Sequence, residues 1–196
     1  RLFYRWSPDI SGESFGEPLE IDNLDATAGY IANLDLWLDA GGAAHLLYYS
    51  QNIQSDIMRN RFFPGTPLVR KLEYAIVDKG QVLHRSTLAE SVEGKETMGP
   101  CWGRFHATAD GRLLVVASFV PAGATCWEPG KGSIEDRVIE IRDGAAAGVT
   151  ALSLREPLTQ FFTAAERGGS LPSNTIDLFG VGRESTVLRY ARVEVT

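Results

Sequence analysis

Tight hairpin signals and long connections alternate along this chain, and that alternation restricts its folding more than any single motif does. Asp39-Ala40-Gly41-Gly42, Asp78-Lys79-Gly80, Asp110-Gly111 and Asp143-Gly144 carry residue types that tolerate positive φ in short turns. The stretches between them, 51–70, 89–103 and 121–136, are long. In an antiparallel meander successive turns fall on opposite ends of the sheet. The tight turns therefore gather at one end and the long connections at the other.

The intervening segments read as strands. Leu2 to Trp6, Pro18 to Ile21, Leu34 to Asp39, Ala44 to Ser50, Lys71 to Val77 and Val82 to Leu88 are short and rich in aromatic and branched residues. Arg104 to Thr108, Leu113 to Val120, Arg137 to Ile141, Val149 to Leu154, Phe161 to Ala164, Thr175 to Gly180 and Val187 to Val195 continue the series. Helical spacing of apolar residues is poor, and 20 Gly with 9 Pro interrupt the chain, so no helix is expected. Segments 84–93 and 157–166 fit the strand pattern least well.

Dividing at every fourth strand gives a self-similar unit, Leu34 to Leu88 and again Arg104 to Leu154, with tight first and third turns and a long second turn. The fold class expected is all-β, a fragment of a β-propeller with four-stranded antiparallel blades. Two blades would be whole (33–90 and 102–156) and two partial (1–22 and 160–196), within one partial domain covering 1–196. A β-sandwich also uses many short strands, but it gives no reason for long and short turns to alternate in phase. Such a strand count does not close a ring, so the remaining blades are expected from the same longer chain.

Charge and composition narrow the function classes. The net charge is −6, and the only basic run is Arg70-Lys71, which argues against a nucleic-acid surface or a polybasic membrane anchor. No apolar run has the length of a membrane span. The start at Arg1 inside LFYRW reads as a mature or excised segment. Three histidines without paired ligand spacing give no metal site, and no phosphate-binding glycine loop or activated serine motif calls for a cofactor.

The first hairpin adds a resemblance. Strand LFYRW is followed by SPDISGESF and the strand PLEI, which resembles the Asp box of sialidase-like propellers: Ser or Thr, any residue, Asp, any residue, Gly, any two, then Trp or Phe. Ser7, Asp9, Gly12 and Phe15 match those types, with one extra residue between Asp and Gly. The resemblance implies a structural turn in which side chains bond to one another and the aromatic ring packs beneath. It also implies a ligand site on the opposite face, where the long connections lie, and a carbohydrate ligand handled in an extracellular or periplasmic setting. The family's catalytic set does not map onto positions here.

Chemistry is therefore sought at the long-connection end. Asp56, Arg59 and Arg61 in QNIQSDIMRNRFFPGTPL can grip a carboxylate or sugar hydroxyl, or simply pair with one another in solvent. In WGRFHA, alternation puts Trp102, Arg104 and His106 on one side, either lining a central pocket or satisfied by backbone carbonyls. Asn33, Asp35 and Trp37 occupy the comparable strand before it. Glu135 and Asp136, with Asp56, are the candidate catalytic acids of a glycoside hydrolase, which needs two carboxyl roles or a substitute for one. Cys101 and Cys126 fall at the same end, either reduced or bridged. A bridge would contribute about 3 kcal/mol, hold Trp102 near Trp127 and imply an oxidising compartment. Two functions follow: a glycan-directed hydrolase, or a noncatalytic propeller binding carbohydrate or protein.

Overall fold

A computed structural model describes residues 1–9, 11, 14–164, 171–184 and 186–195. Strands dominate, in four antiparallel sheets: β1 (Leu2–Tyr4) with β2 (Leu19–Asp22), then β3 (Tyr30–Leu38), β4 (Ala44–Gln51), β5 (Val69–Asp78) and β6 (Gln81–Val92). The third sheet holds β7 (Met98–Ala107), β8 (Leu113–Pro121), β9 (Glu135–Arg142) and β10 (Ala145–Leu152). The fourth holds β11 (Gln160–Thr163), β12 (Thr175–Val181) and β13 (Leu188–Glu194). Each is a plain meander, with strands neighbouring in chain order. The class is all-β with four-stranded antiparallel sheets, and the described sheets form an open stack without a closed ring.

Period-two alternation gives each central sheet two apolar faces, and burying both requires a neighbour on either side. Leu47, Leu72, Tyr74 and Leu88 of the second sheet pack on Phe105, Val115, Ala117 and Ile139 of the third. The third sheet's other face, through Leu114 and Val116, meets Phe161, Ile176 and Leu178 of the fourth. Behind the second sheet, Ala44, Leu46, Tyr48 and Val77 cover Ile21 and Leu2. β7 touches both β3 and β11, so the first strands of successive sheets lie together. Gly103 permits this closeness, since a Cβ there would sit 3.0 Å from a Leu47 methyl.

The hairpins follow their turn chemistry. Lys79-Gly80 and Asp143-Gly144 both have positive φ (43° and 81°, 51° and 79°), the pairing that two-residue hairpins favour. Since the strands run antiparallel in order, 39–43, 79–80, 108–112 and 143–144 share one end. The connections 52–68, 93–97, 122–134 and 153–159 share the other.

Three expectations need correction. The connection expected over 89–103 is only 93–97, because β6 and β7 run into it. Gly99 reads as punctuation, yet it is a close approach beneath Ser91. Pro100 sits beside a register shift in the β7–β8 ladder, where an absent N–H is tolerated. A helix was not expected, but α1 (Asp56–Phe62) occupies the first long connection, with the Ser55 hydroxyl accepting the Met58 N–H at 3.3 Å. Phe15 is half exposed beneath the Arg5 guanidinium instead of packed under its turn. Ser7 does donate to the Asp9 carbonyl at 2.8 Å and Ser11 to the Asp9 carboxylate, while Gly12 lies outside the described residues. Among the described residues no helix is long and apolar enough to cross a membrane.

The stacked-sheet core sets a contrast in mutational cost. Phe105→Ala is expected to lower unfolding free energy by about 3–5 kcal/mol, whereas Val149→Ala, on an exposed stretch of β10, should stay within about 0.5 kcal/mol of wild type. Urea denaturation of both variants measures the difference.

Candidate functional site

The long-connection end carries a cleft of about 250 Å³ between β3, β4 and β5 on one side and β7 with the 122–134 connection on the other. Tyr30 and Tyr49 form one wall, with ring centroids 6.2 Å apart. Trp102 and Trp127 form the other, edge to face at 6.1 Å and 81°. A disulfide between Cys101 and Cys126 joins β7 to the connection directly beside both tryptophans. Cys101 and Cys126 are themselves buried, while Trp127 is 68% exposed, so the bridge tethers the chain next to an exposed indole that lines the cleft.

Polar groups at the cleft are few and fixed. The Tyr49 hydroxyl donates to Gln51 Oε1 at 2.7 Å, and Gln51 Nε2 donates to the Ile53 carbonyl at 2.7 Å and the Gln54 carbonyl at 3.2 Å. Burial pushes the Tyr49 phenol up to about 12, so it stays neutral at physiological pH. Arg70, buried on β5, donates to the Ala124 carbonyl and ties the second sheet to the 122–134 connection. None of the described residues lining the cleft is acidic.

The expected site residues do not converge there as a group. Trp102 and Trp127 do. Trp102 Nε1 donates to the Phe161 carbonyl at 2.8 Å, which fixes its ring. Arg104 faces the same neighbouring sheet, but its guanidinium donates to the Leu34 carbonyl on β3 and the Phe161 carbonyl on β11. It also lies 3.5 Å from the Asp35 carboxylate, 5.2 Å from the Trp102 ring and 4.6 Å from the Phe162 ring. Its donors serve the fold, joining three first strands. His106 is buried at the opposite, tight-hairpin end, where Nε2 donates to the Ser173 carbonyl at 2.7 Å. Burial lowers its pKa and keeps the imidazole neutral.

The candidate acids lie apart. Asp56 opens α1 and borders a separate hollow of about 50 Å³ with Glu93 and Glu96. Arg59 pairs with Glu93, and Arg61 lies over the Phe62 ring at 5.1 Å. Glu135 pairs with Arg137 at 2.7 Å beside a different hollow. Its neighbour Asp136 is buried, because consecutive strand residues face opposite sides. Glu135 and Asp136 cannot both meet one bound substrate.

Comparison with protein-family models, with curated proteins and with solved structures returned no match. The cleft's own chemistry comprises two aromatic walls, a fixed amide, a buried cation and a bridge beside the tryptophan wall.

Tyr30, Tyr49, Gln51 and Arg70 carry no motif. A signal for one of them, Tyr49, was present, since alternation along Tyr48-Tyr49 must send one tyrosine to each face of β4. Replacing both cysteines, Cys101→Ser with Cys126→Ser, should lower stability by about 3 kcal/mol in denaturant titration. The same variant should show greater acrylamide quenching of tryptophan fluorescence as Trp127 comes away from Trp102.

Proposed function

We propose that this chain binds carbohydrate in the cleft beneath the 122–134 connection, acting by recognition. The observation that carries the reading is the pairing of Tyr30–Tyr49 with Trp102–Trp127 around a small set of fixed polar groups, without a carboxylate in the lining. Flat aromatic rings bury the apolar faces of sugar rings, while neutral hydroxyl and amide groups meet their hydroxyls. Hydrolysis would need carboxyl groups or their equivalent on both sides of a scissile bond, and Asp56, Glu135 and Asp136 face three separate places.

Two further readings accompany this one. The bonded Ser7–Asp9–Ser11 turn and the stacked meanders support a place among Asp-box propellers. The bridge between Cys101 and Cys126 supports an oxidising compartment, extracellular or periplasmic.

A panel of oligosaccharides screened by calorimetry tests the function. Wild type should bind at least one of them without releasing reducing ends. Trp127→Ala should weaken that binding by about tenfold or more, equivalent to about 1.4 kcal/mol. Glu135→Gln and Asp56→Asn should leave the affinity within about twofold. Absence of binding across the panel would remove the proposal, and hydrolysis abolished by Glu135→Gln would replace it with an enzyme.

A further inference from the structure

Asp136 is a buried carboxyl that neither the cleft nor any ion pair among the described residues accounts for. It lies near the start of β9, where its register partners are Ser118 on β8 and Leu152 on β10. Its Oδ2 accepts the Leu158 N–H at 2.8 Å, and Ser118 Oγ donates to the Leu158 carbonyl at 2.7 Å. Both backbone polar groups of Leu158 are thus held by side chains of the third sheet. Asp136 Oδ1 is buried and has no hydrogen-bond partner among the described residues.

The residues that follow Leu158 bond to residues that line the cleft. Gln160 Nε2 donates to the Cys126 carbonyl at 3.2 Å, next to Trp127. The Phe161 carbonyl accepts from Trp102 Nε1 at 2.8 Å and from Arg104 Nε at 3.3 Å. Residues 158–161 therefore form a strap, anchored at one end by Asp136 and at the other by the groups that seat the two tryptophans.

We propose that Asp136 is a positioning residue for the cleft, acting through the 158–161 strap, so that its ionisation loosens the Trp102–Trp127 wall and weakens ligand binding. The identity of the ligand rests on the carbohydrate reading, but the coupling between Asp136 and the tryptophans does not.

The surroundings leave this carboxyl to titrate alone. On β9 its flanking charges, Glu135 and Arg137, pair with each other on the opposite face. The 153–159 connection carries Arg155 and Glu156, and Glu156 pairs with Arg189 of β13. β8 and β10 present Ser118 and Leu152 to it. Burial raises its pKa to about 7, opposed by the Leu158 N–H. The fold therefore favours the protonated form, and stability falls as pH rises from the ordinary carboxylate range to about 7. Above that, a buried anion stands on one hydrogen bond, and the strap gives way to hydrate it. Burial holds His45 and His106 below the ordinary imidazole range, so their transitions fall lower.

The test uses the whole chain, wild type and Asp136→Asn, whose amide oxygen still accepts the Leu158 N–H. Acrylamide quenching of tryptophan should rise through neutral pH in wild type and stay level in Asp136→Asn. Affinity for a glycan from the panel should fall at least about fivefold between about pH 6 and about pH 8.5 in wild type, and less than about twofold in the variant. A level wild-type profile, or the same transition in Asp136→Asn, overturns the proposal. A quenching transition in a protein that binds no glycan removes the carbohydrate reading and leaves the coupling standing. If Asp136→Asn does not fold, Ser118→Ala serves instead: cutting the other hold on Leu158 should raise quenching already at about pH 6, and quenching equal to wild type overturns the proposal.

Discussion

The stack of sheets depends on how closely β3, β7 and β11 approach, and a single guanidinium governs that approach. Arg104 spans the three strands, donating to a carbonyl of β3 and a carbonyl of β11 from its place on β7. Asp35 answers from β3, accepting the Phe105 N–H at 2.9 Å. Thr163 on β11 donates to the Phe105 carbonyl at 2.9 Å. Apolar faces are tolerant of sliding, because the hydrophobic effect has no direction. These bonds, charge-assisted at Arg104 and Asp35, have direction, and they set the register in which Leu47, Phe105 and Phe161 meet their neighbours.

Much of the architecture was legible because strand chemistry is local. Alternating branched residues and the Asp-Gly turns mark each hairpin wherever the turn demands positive φ, as at Asp143-Gly144. Misreadings arose where a residue with a turn-like identity served a neighbour in space. Gly99 is small because Ser91 lies against it, and Pro100 is tolerated by a ladder irregularity formed with β8. Neither partner is close enough in sequence to announce itself. Helix α1 leaves little trace in the sequence for a different reason: seven residues give too few turns for an apolar period to show, and only the Ser55 cap distinguishes it.

The site was legible in part, and the division has a physical basis. A disulfide needs two cysteines at one end of the meander, so Cys101, Cys126 and the tryptophans beside them could be placed together from turn parity alone. Charged residues could not be sorted in that way. Arg104, Glu135 and Arg59 have the composition of a substrate grip, but each spends its charge elsewhere: Arg104 on the Leu34 carbonyl, Arg59 on Glu93 and Glu135 on Arg137. Asp136 and Glu135, adjacent in sequence, were separated by the pleat of β9. The aromatic wall opposite the tryptophans comes from β3 and β4, whose relation to β7 exists only once the sheets have stacked.

The Tyr49–Gln51 pair fixes more than the shape of the cleft. With the phenol proton given to Gln51 Oε1, and the amide hydrogens directed to the Ile53 and Gln54 carbonyls, the Tyr49 oxygen in this wall has only lone pairs left to offer. The hydrogen-bond polarity of that wall is thereby set before any ligand arrives. A hydroxyl that meets it must bring the proton itself, whereas an ether or carbonyl oxygen would face another oxygen across the gap. For the carbohydrate proposed above, the orientation of a ring in the cleft would follow from which of its oxygens still carries a hydrogen.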